Sequence, residues 1–267
     1  MEFFTKFFCC LAFASILNWS PFLFLERFFS QPIYQLRKIS DPSAIKPKNE
    51  YTIVLVGDSM TDYLGQAEEL TKDLKKYYPD KKINIKNFSV GSTNILTLPD
   101  RLQNLTNYNS SIHEAILNTN FDIIIIESFG NNPLGDVSVE EGIRKHNATL
   151  DLARKMIKNR QPQAKIILLA TIAPHKSRYA EGVANLKTEE RMEWAKQRVA
   201  YIKNHINYAK NNNLPLINVY EKSLDQDSGG NIDLINTNDF IHPSVTCIKF
   251  ISQEIADYIF QTRALPL

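Results

Sequence analysis

Cysteine is scarce in this chain: three in 267 residues, and two of them, Cys9 and Cys10, sit in an apolar N-terminal run. Cys247 is then the one thiol of the remaining sequence, so no intrachain disulfide can staple the body and its stability must come from a packed core. Among the five histidines there is no H-E-x-x-H motif or clustered ligand spacing, and no C-x-x-C pair occurs, so a catalytic metal is not expected. The phosphate-binding G-x-x-x-x-G-K motif and G-x-G-x-x-G are both missing, which removes support for a nucleotide, and no other cofactor is indicated. Excess charge is also lacking. The net charge is +2, and no dense Lys/Arg stripe interleaves with aromatics, so nucleic acid is not an expected partner. The lysine-rich stretches 72–76 and 81–86 read as solvated surface. With 43% hydrophobic and 22% charged residues, the composition is that of a globular protein and argues against disorder.

What is present begins with one stretch unlike a globular domain. After Lys6, the run from Phe7 to Leu25 carries no charge, and Glu26 and Arg27 close it. Nineteen residues at the helical rise come to about 28 Å, close to the thickness of a bilayer's hydrocarbon core. Asn18, Ser20 and Pro21 interrupt its second half, and Ala12-Phe13-Ala14 has the small-x-small form of a cleavage site. Residues 1–27 are therefore read as a membrane anchor or a signal peptide; a buried helix fits less well because no polar face recurs. Either leading reading puts the rest of the chain outside the cytoplasm, anchored to the membrane or secreted. Residues 28–50 are polar, contain Pro32, Pro42 and Pro47, and show no sustained period, as a stem would. Residues 51–267 are long enough for one domain with a sizeable core.

Within that domain, short β-branched runs alternate with longer amphipathic stretches. Strands are expected at Tyr51–Val56, Ile83–Ser89, Phe121–Glu127, Lys165–Thr171 and Leu216–Val219. Helices are expected at about Gly65–Tyr78, Arg101–Asn118, Val139–Arg160, Thr188–Asn212 and Ser244–Gln261. Four consecutive isoleucines, Ile123 to Ile126, suit a strand buried on both faces. Strand and helix alternating in this way predict an α/β fold: a three-layer α/β/α doubly wound sandwich around a five-stranded parallel sheet. In such sheets ligands bind at the carboxyl ends of the strands, so a site should draw on Gly57 to Ser59, Val90 to Ser92, Ser128 to Pro133 and Ile172 to Pro174.

Chemistry is concentrated at two places. Val54-Leu55-Val56-Gly57-Asp58-Ser59-Met60 ends an apolar strand in glycine and then presents a serine where a helix begins. A serine hydroxyl needs an adjacent base, itself oriented by a third group. Near the C-terminus, Asp239-Phe240-Ile241-His242-Pro243 supplies both within one turn, with a carboxylate spaced to reach imidazole Nδ1 and leave Nε2 free. Asp58-Ser59 alone would suit an ordinary helix N-cap equally well.

This pair of motifs resembles the first and last blocks of the SGNH (GDSL-type) hydrolases. Gly-Asp-Ser alone occurs by chance in roughly one chain of this size in twenty; its company with Asp-x-x-His-Pro, in this order, is far rarer. Asn87-Phe88-Ser89-Val90-Gly91 resembles the second block and Gly130-Asn131-Asn132 the third, Gly-x-Asn-Asp. The resemblance implies a flavodoxin-like SGNH fold from about Tyr51 to Phe260, a triad of Ser59, His242 and Asp239, and an oxyanion hole of the Ser59 and Gly91 N–H groups with the Asn132 amide. Three departures stand out: Met60 where leucine is common, Pro133 in place of the third block's aspartate, and Cys247 where glycine is frequent. G-x-S-x-G, the elbow of the α/β-hydrolases, is absent.

The activity so implied is hydrolysis of carboxylic esters, O-acyl with O-acetyl among them, through an acyl-enzyme. The alternatives are acyl transfer onto cell-surface glycans, or a retired hydrolase scaffold that binds carbohydrate at the membrane. The substrate is a small-molecule, glycan or lipid ester, and the sequence carries no signal of oligomeric state. Loops at Pro133–Gly142 and Pro174–Lys187 are expected to shape its pocket, with His175 as a candidate lining residue. The other histidines, His113, His146 and His205, read as surface residues.

Overall fold

The computed structural model describes residues 45–267 apart from residue 228. The anchor or signal over 1–27, and the stem as far as residue 44, lie outside the described residues. In chain order the elements are β1 (Glu50–Val56), α1 (Ser59–Asp62), α2 (Glu68–Tyr77), β2 (Lys82–Asn87) and α3 (Leu98–Gln103). A small hairpin, β3 (Thr106–Tyr108) and β4 (Ser111–His113), leads to β5 (Ile123–Glu127), α4 (Val139–Arg160) and β6 (Lys165–Ala170). The chain closes with α5 (Thr188–Asn211), β7 (Leu216–Asn218), α6 (Val219–Lys222) and α7 (Val245–Gln261).

Five strands pair in the order β2-β1-β5-β6-β7, every neighbour parallel. Alternation along each strand sends successive side chains to opposite faces. On one face Tyr51, Ile53, Leu55, Ile123 and Ile125 pack with Leu70 and Leu74 of α2 and Ile251, Ile255 and Ile259 of α7. On the other, Val54, Val56, Ile124 and Ile126 pack with Leu98 and Leu102 of α3, Leu150 and Ile157 of α4, and Ala209 of α5. All five residues of β5 are buried, because it lies between β1 and β6 with helices over both faces. Each such isoleucine contributes about 1.5–3 kcal/mol of burial. The parallel sheet and its two helical layers are those the alternating pattern predicts. Among the described residues no helix is long and apolar enough to cross a membrane.

The stretch expected as one helix, Arg101–Asn118, is broken. Its helix starts earlier, at Leu98 with Pro99 in the first turn, and ends at Gln103; the hairpin follows, then a single helical turn at Ile116–Asn118. Asn109 and Ser110 both take positive φ, 52° and 61°, the conformation of a two-residue hairpin turn, and asparagine tolerates it at low cost. Local turn chemistry thus overrides an apolar spacing that a helix could also have used. His113 consequently lies on β4.

The strand order reverses at β1, with β2 on one side and β5 on the other. The crevice above the carboxyl ends of β1 and β5 is the topological switch point, where open α/β sheets bind ligands.

Candidate active site

Ser59 is the first residue of α1, directly above the end of β1. Asp58 caps that helix, its Oδ1 accepting from the Met60 N–H at 2.9 Å. The turn is tight: a methyl built on Gly57 would lie 2.7 Å from Thr61 Oγ1 and 2.8 Å from Glu127 Cβ, so only glycine fits between strand and returning helix. The N-cap reading of Asp58-Ser59 is therefore met by Asp58. The cap is what holds the Ser59 N–H in the first helical turn, where helix geometry offers it no intrahelical acceptor.

Asp239 and His242 share a closed loop before α7. The Asn236 N–H donates to the His242 carbonyl at 2.8 Å, and the Phe240 N–H to the Asn236 carbonyl at 2.8 Å. Asp239 Oδ1 accepts from the Ile241 and His242 N–H groups at 2.8 and 3.0 Å, while Oδ2 lies 2.9 Å from His242 Nδ1. Burial pulls the Asp239 carboxyl upward, but the hydrogen bonds from the His242 ring and backbone and from Ile241 outweigh it and hold the group below its ordinary value. An ionised Asp239 fixes the proton on His242 Nδ1, which leaves Nε2 as the acceptor. Phe240, between them, takes φ 51°, a strained position held by burial and by the Arg178 guanidinium 3.9 Å over its ring.

The two motifs meet through a residue the sequence did not single out. Tyr63, the residue that caps the C-terminal end of α1 with its N–H on the Ser59 carbonyl at 3.0 Å, stacks on the His242 ring at 4.3 Å between centroids and 6° between planes. One helical turn therefore carries both the serine and the aromatic plate against the imidazole.

Gly91 and Asn132 lie at the same edge. A methyl on Gly91 would sit 3.6 Å from Ser59 Cβ, so the β2 loop passes beside the serine. Asn87 secures that loop: its Nδ2 donates to the Thr61 and Gly65 carbonyls, both at 3.0 Å. Asn132 Nδ2 donates to Asp58 Oδ2 at 3.0 Å, which uses one amide hydrogen and leaves the second available. Asn131 is spoken for otherwise, accepting from the buried Tyr179 hydroxyl at 3.0 Å. Of the two asparagines, Asn132 is the one tied to Ser59's neighbour.

Beneath them lies a buried polar network that sequence reasoning missed. Glu127, the last residue of β5, is fully buried; its Oε2 accepts from the Asp58 N–H at 3.4 Å and its Oε1 from the Ser128 hydroxyl at 2.5 Å. Burial raises the Asp58 carboxyl above its ordinary value; burial, and then the Asp58 charge, raises Glu127 well above its own. Two carboxyls in one dry site resist ionising together, and the charged form is disfavoured more strongly at Glu127. Arg101 is buried nearby, donating to the Gly57 carbonyl at 3.4 Å, the Phe88 carbonyl at 2.5 Å and Thr93 Oγ1 at 3.1 Å. Desolvation lowers its guanidinium to about 10, so it remains a cation at neutral pH. The only sequence signal for Glu127 was an acidic residue ending a run of isoleucines.

The remaining histidines need correction. His146 and His205 are fully buried between α4 and α5, their rings 5.8 Å apart edge to face. His205 Nε2 carries the proton it gives the Ile126 carbonyl at 3.2 Å. Desolvation holds His205 down to about 4; desolvation, then the neighbouring His205, holds His146 down to about 3, so both are neutral. An apolar-stripe reading counts histidine as polar, which is why it put them outside. His175 is also largely buried, its Nδ1 accepting from the Arg178 N–H at 3.2 Å. Pro174 and Lys176, beside it, line a cavity of about 460 Å³ with Met192, Ala195 and Val199 of α5; Ser59, Gly91, Asn132 and His242 are not among its lining residues. Cys247 is a core residue of α7, its thiol pushed up to about 12 by burial. Among the described residues no three His, Cys, Asp or Glu side chains are grouped to hold a metal ion.

No protein-family model matches the sequence, and no curated protein does. Solved structures do match the fold. A lipase/acylhydrolase from Enterococcus faecalis is similar with a TM-score of 0.58 at 17% identity, over 79% of this chain and 96% of that one. A GDSL-like lipase from Bacteroides thetaiotaomicron gives 0.55 at 15% identity, over 83% and 93%. An acetyl xylan esterase gives 0.51 at 14%, over 76% and 97%. The chain has the fold of these lipases, acylhydrolases and esterases, one of them GDSL-like.

Proposed function

We propose that this protein is a serine esterase of the SGNH (GDSL-type) hydrolase family, cleaving O-acyl esters with Ser59 as nucleophile, His242 as base and Asp239 as its orienting partner. One observation carries the reading: Ser59, the Asp239–His242 pair, Gly91 and Asn132 converge at the β1/β5 switch point, with Tyr63 of the serine's own helix stacked on the imidazole. The fold, shared with a lipase/acylhydrolase and a GDSL-like lipase, supports it.

In this mechanism His242 Nε2 takes the Ser59 hydroxyl proton as the oxygen attacks the ester carbonyl. The N–H groups of Ser59 and Gly91 and the second Asn132 amide hydrogen receive the oxyanion. The tetrahedral intermediate collapses as His242 returns the proton to the leaving alcohol. Water then repeats the sequence on the acyl-enzyme and releases the acid. Tyr63 presents its π face to the imidazole at the stage when it is cationic, an interaction worth about 0.5–1 kcal/mol at an exposed site. Tyr63→Ala is therefore expected to lower kcat several-fold with little change in KM, and Tyr63→Phe to restore it. Steady-state kinetics of both variants check this; equal loss in Phe and Ala would assign the effect to the hydroxyl.

An O-acetyl glycan is the favoured substrate, supported by the likeness to an acetyl xylan esterase and by the extracytoplasmic address that residues 1–27 suggest. That address predicts protease sensitivity of residues 51–267 on intact cells; a fully cytosolic, soluble protein would refute it. Hydrolysis of p-nitrophenyl acetate and longer acyl esters by the full chain, beside Ser59→Ala, tests the function itself. Serine-dependent turnover supports it. Acyl transfer onto glycan without hydrolysis would make the chain a transferase, and binding without either would make it a carbohydrate-binding module.

A further inference from the structure

Asp62 closes α1 one turn beyond Ser59, and its carboxylate reaches across to the β2 loop. The Gly91 N–H donates to Asp62 Oδ2 at 3.2 Å. A methyl built on Gly91 would lie 3.5 Å from that oxygen and 3.6 Å from Ser59 Cβ. Carboxylate, backbone donor and serine therefore converge on one spot, the spot an oxyanion must occupy to use the Gly91 N–H. In the resting protein an anionic oxygen of the chain already holds it. Asp62 is exposed, so it is free to turn into water when something displaces it.

We propose that Asp62 is a specificity-determining residue of the reacting site: its carboxylate holds the Gly91 N–H until an acyl carbonyl displaces it, and it selects against acyl groups that carry a negative charge. This rests on the esterase reading above. A hydrogen bond to an ionised acceptor is stronger than one to a neutral carbonyl, so the carboxylate competes well against a substrate in its ground state. A developing oxyanion competes on equal terms, but two negative oxygens cannot share the donor, so Asp62 must leave as charge builds. With a neutral acyl chain it leaves into solvent. With an anionic chain in the same mouth the two charges stand a few ångströms apart and repel each other. A small neutral acyl group such as acetyl has to displace the carboxylate but meets no such repulsion.

The test compares kcat/KM for p-nitrophenyl acetate and for p-nitrophenyl hydrogen succinate in the full chain, Asp62→Ala and Asp62→Asn. A fluorophosphonate reports in parallel on Ser59, since its neutral P=O enters the hole without needing turnover. Asp62→Ala is expected to gain several-fold on the acetate, about tenfold or more on the succinate, and to label faster. Asp62→Asn, which keeps an acceptor but loses the charge, is expected to gain mainly on the succinate. An unchanged or lower rate in Asp62→Ala on both esters would overturn the proposal, and so would equal gains on the two. Should the parent chain turn over no ester, the esterase reading fails, and labelling decides this inference separately: faster labelling of Asp62→Ala upholds it, and equal or slower labelling sinks it.

Discussion

Alanine in place of Ser59 is expected to lower kcat for ester hydrolysis by about 10⁶-fold, the scale of loss when a triad nucleophile is removed. Its melting temperature should barely move, because the Asp58 cap, the Gly57 turn and the Asn87 clamp that shape α1 do not involve the Ser59 hydroxyl. His242→Ala should cost a similar factor, and the double variant little more than either single one, since base and nucleophile act as one unit. The oxyanion donors survive both substitutions, so a residual rate above that of water should remain. Kinetics of the three variants check this, with mass spectrometry locating the fluorophosphonate adduct. An adduct at Ser59 lost in Ser59→Ala fixes the nucleophile. Turnover by Ser59→Ala at a tenth of the parent rate would place it elsewhere.

The part of this site that was legible in sequence is the part built from short contiguous motifs. Gly57-Asp58-Ser59 is readable because the end of an apolar strand dictates where the serine must stand, and Asp239/His242 because both partners lie within one loop. The sheet was legible for a related reason: four buried isoleucines in a row have few other homes. Tyr63, Asp62, Glu127 and Arg101 were not readable, because each acts on a residue distant in sequence. Tyr63 meets His242 only once α7 has docked beside α2, and Arg101 meets the Gly57 carbonyl only after α3 has folded over the sheet. The hairpin at 106–113 was missed because its two strands of three residues are too short for a period to register, and its signal lies in Asn109 and Ser110 alone.

The buried Glu127 makes a prediction about stability that is independent of substrate. Its folded-state carboxyl stands well above its ordinary value of 4.5, the value it regains on unfolding, so above pH 4.5 unfolding releases a proton that the native state still holds. Stability from this group is therefore complete below pH 4.5 and declines as pH rises toward the folded value, by up to about 1.4 kcal/mol per pH unit for one proton. Asp58, raised from 3.8, acts in the same direction. Glu127→Gln keeps the shape, an acceptor for the Asp58 N–H and a donor toward the Asp58 carboxylate, but has no proton to lose. Its stability relative to the parent is expected to climb steadily from pH 5 to pH 8 in denaturant titrations, with Asn132 still aimed by Asp58 and esterase turnover largely kept. Glu127→Ala should lose about 3–5 kcal/mol at pH 5, because it strips the Asp58 N–H and the Ser128 hydroxyl of their acceptor, and the deficit should narrow toward pH 8 with the same slope, since alanine has no proton to lose either. Parallel pH profiles for the parent and Glu127→Gln would mean that Glu127 is ionised in the native protein, and that the Arg101 cation, not a proton on Glu127, balances the acids beneath Ser59.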